Sequence, residues 1–242
     1  MCSKVKTMLR PLDPAGILIS LILMLAWLFS LLYLLEWDIN YLSILTYFAI
    51  YLQTHLYTGL FITSHDAMHG TVSKNKNINT FIGRFTCLLF AFNSYNRLII
   101  KHHMHHRFVA SDEDPDYHKS GHFWKWYWNF LKNYITIKQL LLMTISLQLL
   151  NLVFSMENLL TFWILPSILS TFQLFYFGTY IPHKDGHHNR NKHKSGSLKL
   201  NHLWAFLSCY FFGYHYEHHD APGVPWWRLW MIKRLNAISN DL

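Results

Sequence analysis

From Pro11 to Ser73, and again from Gln139 to His183, the chain carries no lysine or arginine, so all 21 of its basic residues lie outside two long stretches. In the first stretch Ala15 to Leu35 gives 21 residues without a charge and Tyr41 to Ser64 gives 24. At about 1.5 Å per helical residue, each is long enough to cross a hydrocarbon core of about 30 Å. Only Glu36-Trp37-Asp38-Ile39-Asn40 separates them, which predicts an antiparallel hairpin. A second hairpin is predicted from Gln139 to Met156 and from Leu159 to Ile181, with its tip at Glu157-Asn158 and a kink at Pro166.

The chain is 52% hydrophobic and only 14% charged, which excludes an ordinary soluble domain. Both hairpin tips carry acid, at Glu36, Asp38 and Glu157, whereas the basic residues flank the spans. The positive-inside rule then places the tips outside and every basic segment in the cytoplasm, or in the stroma of a plastid. A net charge of +8 reads as topology and attraction to anionic lipid; no basic run or nucleic-acid module is present. The predicted fold is a single all-α integral membrane domain: four transmembrane helices in two hairpins, and a cytoplasmic helical cap from 70–138 and 183–242. Lys4, Lys6 and Arg10 ahead of the first span suggest a retained signal anchor. Cys2, Cys87 and Cys209 are too scattered for a disulfide framework or thiolate site.

Nine histidines mark the chemistry. His65 and His69 form H-x-x-x-H; His102, His105 and His106 form H-x-x-H-H; His215, His218 and His219 repeat it; and His183 follows the last span. Residues three and four apart share a helix face, so each cluster is expected to aim its imidazoles at a common point. Ligand type alone does not choose between iron, zinc, copper and nickel. A structural zinc takes four ligands, usually with thiolates, so nine histidines exceed one ion, and two ions with four or five nitrogens each use them all.

Other residues have a blander reading beside the functional one. His55 reads as a hydrogen-bonded core residue or part of a substrate channel. His103, His118, His122, His187, His188, His193 and His202 read as exposed or supporting groups. Asp66, Asp114, Asp116 and Glu217 are expected to orient ligand imidazoles by accepting their second N–H, although the Asp-x-Asp-Pro-Asp run also fits a solvated turn. Trp124, Trp126, Tyr127 and Trp128, and Trp226, Trp227 and Trp230, are expected at headgroup level, the last three on an amphipathic surface helix with Arg228, Lys233 and Arg234. Phe81 to Phe92 is too short to cross and is expected to lie in the interface or to re-enter.

The order of these motifs resembles the membrane fatty-acid desaturase and hydroxylase superfamily. Within it, Phe61 to Gly70, Asp112 to Asp116, Phe177 to His183, and Gly213 to His219 followed by Pro225-Trp226-Trp227-Arg228 resemble the bacterial and cyanobacterial β-carotene ketolases, from about Leu52 to Leu229. The resemblance implies an iron-dependent oxygenase that converts the C4 methylene of a β-ionone ring to a ketone. It implies that His65, His69, His102, His105, His106, His183, His215, His218 and His219 hold two iron ions, with Asp66, Asp114 and Asp116 required nearby. Molecular oxygen would be the cosubstrate, a carotenoid dissolved in the bilayer the substrate, and ferredoxin or a similar reductant the external electron donor, since no flavin, haem or iron–sulfur motif is visible. The sequence departs from the family pattern at His103, where an aromatic residue is usual, and in the basic, histidine-rich stretch Asp185 to Lys199.

Two other readings compete: a carotenoid ring hydroxylase or lipid desaturase on the same metal site, and a histidine-rich metal transporter. Transport would set ligands near the bilayer midplane, whereas here they cluster at span ends on one side.

Overall fold

In the computed structural model, residues 14–185 and 191–240 are described, and among them every regular element is helical. The basic tail with Lys4, Lys6 and Arg10, Cys2, and His187 and His188 lie outside the described residues. Helix α1 (Ala15–Leu35) buries Gly16, Ser20, Met24, Trp27, Leu31, Leu34 and Leu35, one stripe at three- and four-residue spacing. Its opposite face, with Leu18, Leu21, Ile22, Leu25, Phe29 and Leu32, is exposed yet equally apolar. A helix apolar all round with one packed stripe suits lipid rather than water.

Helix α2 (Ile44–Met68) begins at Ser43, whose side chain accepts the Leu45 N–H. Its first turns are exposed, but from Gln53 onward nearly every residue is buried. It runs a turn beyond the expected end at Ser64, so His65 and Asp66 ride on the helix itself. Gly70 stops it: at φ 69° it lets Thr71 N–H reach Asp66 O at 3.0 Å and Gly70 N–H reach Ala67 O at 3.1 Å, a Schellman ending.

Helix α3 (Lys76–Leu89) absorbs most of the short apolar segment and packs back along α2. The chain then reverses through Ala91 and Phe92, both left-handed, into α4 (Tyr95–Phe108), followed by α5 (Phe123–Tyr134).

The second hairpin departs from expectation. Helix α6 (Ile137–Leu150) has 14 residues, about 21 Å, and is too short to cross by itself. The span expected to reach Met156 ends early: past Leu150 the bonds tighten to three-residue turns, Leu152 N–H to Leu149 O at 3.2 Å and Val153 N–H to Leu150 O at 3.0 Å. Helix α7 (Met156–His183) is longer than expected, at 28 residues. It contains two π turns, Leu160–Ile164 and Tyr176–Tyr180, and each precedes a proline, Pro166 and Pro182, by two residues. A proline ring collides with the carbonyl four residues back in a regular helix, and a widened turn relieves that contact. The break expected at Pro166 is therefore taken up by a π turn. Of all the described helices, α1 and α7 are long and apolar enough to cross a membrane.

Asn158 Nδ2 donates to Leu34 O at 2.9 Å and Trp37 O at 2.7 Å, which holds the two hairpin tips together. At the other end come α8 (His202–Cys209), α9 (His215–Asp220), a 3-10 turn (Trp226–Arg228) and α10 (Leu229–Asn240). The segment 183–242 is not wholly a cap, because α8 lies against α2 and α7: Tyr51 Oη donates to Leu207 O at 2.9 Å and Gln173 Nε2 to Ser208 O at 2.5 Å. The aromatic belts are also fewer than expected. Trp124 and Trp128 are exposed, but Trp126 is buried with its Nε1 donating to Asp116 O, and Trp226 packs in the core against Tyr210. An indole so enclosed contributes packing and one satisfied N–H rather than interfacial anchoring.

Candidate metal centre

Four helix segments converge on one place. The end of α2 brings His65 and His69, α4 brings His102, His105 and His106, the last residue of α7 is His183, and α9 brings His215, His218 and His219. They form two groups whose ligand nitrogens lie within 4.8 Å of one another: His65, His69, His102, His106 and His218 in one, His105, His183, His215 and His219 in the other. Each H-x-x-H-H is thus divided, contrary to the expectation of a common point. On α4 the pair His102 and His106 turns to the first group and His105 to the second; on α9 the pair His215 and His219 turns to the second and His218 to the first. Neighbours His105 and His106, like His218 and His219, point to opposite sides because successive helical residues are turned about 100°.

The nitrogens face each other. His69 and His102 Nε2 are 2.6 Å apart, His106 and His218 2.9 Å, His105 and His219 3.1 Å, and His215 Nε2 is 2.9 Å from both His183 and His219. A six-coordinate metal with bonds of about 2.1 Å sets adjacent nitrogens about 3.0 Å apart. The proton inventory agrees. Asp114 takes His105 Nδ1 at 2.9 Å and the Lys194 carbonyl takes His183 Nδ1 at 3.2 Å, which leaves each Nε2 as the lone-pair nitrogen. Both ring nitrogens of His65 are buried without a hydrogen-bond partner. Burial first, and repulsion among the imidazoles second, lowers His69, His102, His106, His218 and His219 below the ordinary histidine range. Neutral rings turning lone pairs toward one another repel unless a cation lies between them, so these residues fit two metal ions.

The acids divide. Asp114 is buried, holds His105 through both oxygens at 2.9 and 3.1 Å, and accepts the backbone N–H groups of Ala110 and Asp116. Burial opposes its charge, but His105 and those N–H groups hold it below the usual carboxylate range. Asp116 lies 3.8 Å from His105 Nδ1 and accepts the Tyr134 hydroxyl; burial pushes it up to about 6. Asp66 does not hydrogen-bond its neighbour, with Oδ1 3.7 Å from His65 Nδ1. Its Oδ2 instead accepts Trp226 N–H at 3.0 Å, joining the end of α2 to the 3-10 turn that precedes α10. Glu217 touches no histidine: it meets Lys233 Nζ at 3.3 Å and accepts Ser197 Oγ at 2.5 Å, because its position on α9 faces α10.

The remaining described histidines stay outside both groups. His103 has its ring 6.4 Å from that of His69, beside Arg107 and Pro222 at a surface depression. His193 lies 3.5 Å from Asp220 and 5.7 Å, ring to ring, from His219. His122 is exposed, His118 is half-buried with its Nδ1 accepting the Ser120 N–H at 3.2 Å, and His202 meets the Tyr214 hydroxyl. His55 is a core residue but not a hydrogen-bonded one: its ring stacks on Tyr210 at 4.1 Å and both nitrogens are buried without partners.

An apolar cavity of about 440 Å³ opens on the histidines, with His65, His102, His105 and His215 at its wall. Phe61, Phe90 and Phe212 enclose the metal end, and Met143 and Leu147 of α6 with Ile164 and Ile168 of α7 line the rest. Gly178 permits the closure, since a Cβ there would collide with the Phe212 ring. Phe61 and Gly178 fall in segments that carry the family resemblance, but Phe90, Met143, Leu147, Ile164 and Ile168 are apolar positions among many, and neither Tyr134 nor the Lys194 carbonyl carries a sequence signal of its own.

The chain matches the family described as fatty acid desaturase over residues 42–153 and 122–237. It is 38% identical over 170 residues to a protein of Paracoccus sp. (strain N81106 / MBIC 01143) named beta-carotene ketolase, covering 69% of this chain and 70% of that one. It is 37% identical over 187 residues to beta-carotene 4-ketolase 3 of Haematococcus lacustris, covering 72% of this chain and 58% of that one. It is 38% identical over 174 residues to the zeaxanthin 4-ketolase of Chlamydomonas reinhardtii, covering 69% of this chain and 39% of that one. No solved structure matches it.

Proposed function

This chain belongs to the fatty acid desaturase family, and we propose that within it the protein is a carotenoid 4-ketolase, oxidising the C4 methylene of β-ionone rings so that β-carotene becomes echinenone and then canthaxanthin. The observation that carries the reading is the junction of an apolar cavity with two groups of inward-facing imidazoles. Such a cavity suits a hydrocarbon ring arriving from the bilayer, and such nitrogens suit a metal that works on it. Iron bound there would supply the oxidising power, activating molecular oxygen with electrons from an outside donor such as ferredoxin.

The protein's own part is to hold, orient and exclude. Asp114 keeps the proton on His105 Nδ1 and so presents Nε2 in the liganding form. The walls of Phe61, Phe90 and Phe212 keep bulk water from the ring and leave C4 facing the histidines. A first oxidation converts the methylene to a secondary alcohol. A ring held in the same pose is then oxidised again at the same carbon, to a geminal diol that loses water to give the ketone.

We read α1 with α2, and α6 with α7, as two membrane hairpins, with the tips at Asp38 and Glu157 on one side and the metal centre on the cytoplasmic or stromal side. The absence of Lys and Arg from both hairpins and the Asn158 link between the tips support this reading. The deciding experiment is expression in cells that make β-carotene, followed by pigment identification. Echinenone and canthaxanthin are expected; accumulation of 3-hydroxylated pigment without keto product refutes the ketolase and leaves a family hydroxylase.

A further inference from the structure

One member of the second hairpin stands apart. Every other described helix packs closely against a second element, whereas α6 does not. Gln139 is its one buried residue, and it reaches the core through the partly buried side chains of Met143, Leu147 and Leu150. Leu-rich helices in lipid have no hydrophobic reason to close on each other, because lipid tails are as apolar as Leu, and close approach needs small residues at the contact. The side chains that α6 turns inward are large.

The gap so left belongs to the cavity. Met143 and Leu147 of α6 line it, as do Ile164 and Thr171 of α7. Leu141 and Ile145 of α6, and Leu165 and Leu169 of α7, are exposed and do not line it. Leu140 and Ile168 do both: each lines the cavity, and they are 54% and 55% exposed. At about 100° per residue, Leu140 falls between Leu147 and Leu141 around α6, and Ile168 between Ile164 and Leu165 around α7. Each helix therefore turns one side to the cavity and the next to lipid, with one of these two residues at the border.

The opening is bounded at both ends. At the tip, α6 and α7 are joined by the short link 151–155. At the metal side α5 packs against α7, with the rings of Tyr127 and Phe172 5.5 Å apart. Between them lies a lateral window. From Gln139 to Leu150 on α6, and from Asn158 to His183 on α7, there is no Lys, Arg, Asp or Glu, so a hydrocarbon meets no charged side chain of either helix on its way through. A conjugated chain is straight and stiff. A carotenoid with one ring at the histidines thus carries its second ring well beyond a cavity of about 440 Å³, and the rest of the molecule has to leave through an opening in the wall.

We propose that the polyene of a bound carotenoid leaves the cavity sideways through the window between α6 and α7, past Leu140 and Ile168. The window is then both the way in from the bilayer and a subsite for an extended apolar chain. The proposal rests on the reading that the substrate ring sits at the histidines, and adds where the remainder of the molecule lies: the second ring stays in the bilayer while the first is oxidised.

The test closes the window. Leu140→Cys with Ile168→Cys, in a chain that also carries Cys2→Ser, makes the new pair the accessible thiols, since Cys87 and Cys209 are buried. Both substituted side chains are exposed, so neither change opens a hole in the core. Membranes holding the full-length protein are treated with bifunctional thiol reagents of graded length and with a cleavable disulfide, before or after β-carotene is added. The readouts are β-carotene retained by the purified protein, which needs no turnover, and ketone formed. Linking first should exclude the pigment and stop ketone formation, and cleaving the linker should restore both, which a misfolded variant could not do. Adding β-carotene first should slow the linking, because the chain lies between the thiols. Undiminished pigment and ketone after linking overturn the proposal. So does a linking rate that β-carotene leaves unchanged, or a pair that no reagent length joins, since the two residues then do not border one opening. Unlinked protein that retains β-carotene yet makes no ketone is a separate result: it removes the ketolase reading and leaves the pigment test of the window in force.

Discussion

Asp114 and His105 are joined through both carboxylate oxygens, 2.9 and 3.1 Å from Nδ1, while His105 Nε2 faces His219 Nε2 at 3.1 Å. The same carboxylate is pinned by the N–H groups of Ala110 and Asp116. One acid thus fixes both the turn that follows α4 and the tautomer of a ring in the second histidine group.

Asp114→Asn keeps the size of the side chain and removes its charge. Loss of a carboxylate partner behind a ligand imidazole typically lowers metal affinity or activity by about 10- to 100-fold. Iron content and ketone yield should fall together in this variant, with membrane insertion retained. Full iron content with unaltered yield would mean that the turn alone needs Asp114.

The division of each H-x-x-H-H between two groups makes neighbouring histidines inequivalent. If each group holds one iron, as proposed, His105→Ala should lose the iron of its own group and His106→Ala that of the other, so each variant should bind about half the iron bound by the unaltered protein, with ketone formation abolished in both. His118→Ala and His122→Ala should keep both metal and activity. Stoichiometric zinc, with less than one iron per chain after growth in iron-replete medium, would argue against the di-iron assignment.

Lys233 and Glu217 form a largely buried pair beside Ser197. Removing one partner of such a pair leaves a charge without compensation and costs about 3 kcal/mol. Lys233→Met should lower the thermal midpoint in detergent, and adding Glu217→Gln should recover much of the loss. Equal destabilisation by the single and double variants would show that packing, not charge, holds α9 to α10.

Gly178 lies where a Cβ would strike the Phe212 ring. Gly178→Ala should displace that ring from the cavity wall next to His215 and reduce ketone yield, with an overpacking cost of about 1–3 kcal/mol. Pairing it with Phe212→Leu should restore yield in part. A fully active Gly178→Ala would show that the ring has room to move.

Cysteines placed at Asp38 and Glu157 should react with an impermeant thiol reagent from the outer side of the membrane alone. Labelling of either from the cytoplasmic side alone would overturn the two-hairpin topology. Asn158→Ala, which removes both donor contacts between the tips, should lower thermal stability while leaving the labelling pattern intact.

Several features were legible before any coordinates. The charge-free runs mark α1 and most of α2 because a lipid-facing helix admits few charges along its whole length, and that is a property of composition. The histidine spacing places the i, i+4 pairs His65 and His69, His102 and His106, and His215 and His219 each on one helix face, since that neighbour relation is fixed by the helix itself. The motif order, with its intervening residues, carried the family resemblance.

Other features depended on how the helices meet. Whether His105 joins His102 or His219 is decided by the rotation of α4 against α9, which no spacing encodes. Glu217 looks like a ligand partner from its place in the motif, yet the turn of α9 delivers it to Lys233. Asp66 follows His65 in sequence but spends its carboxylate on Trp226, 160 residues away. The early end of α6 and the placing of α8 beside α2 are likewise set by packing. Local sequence determines which residues share a face, because the helix repeat is short and regular; only the tertiary structure decides what each face meets, because that depends on contacts between residues far apart in the chain.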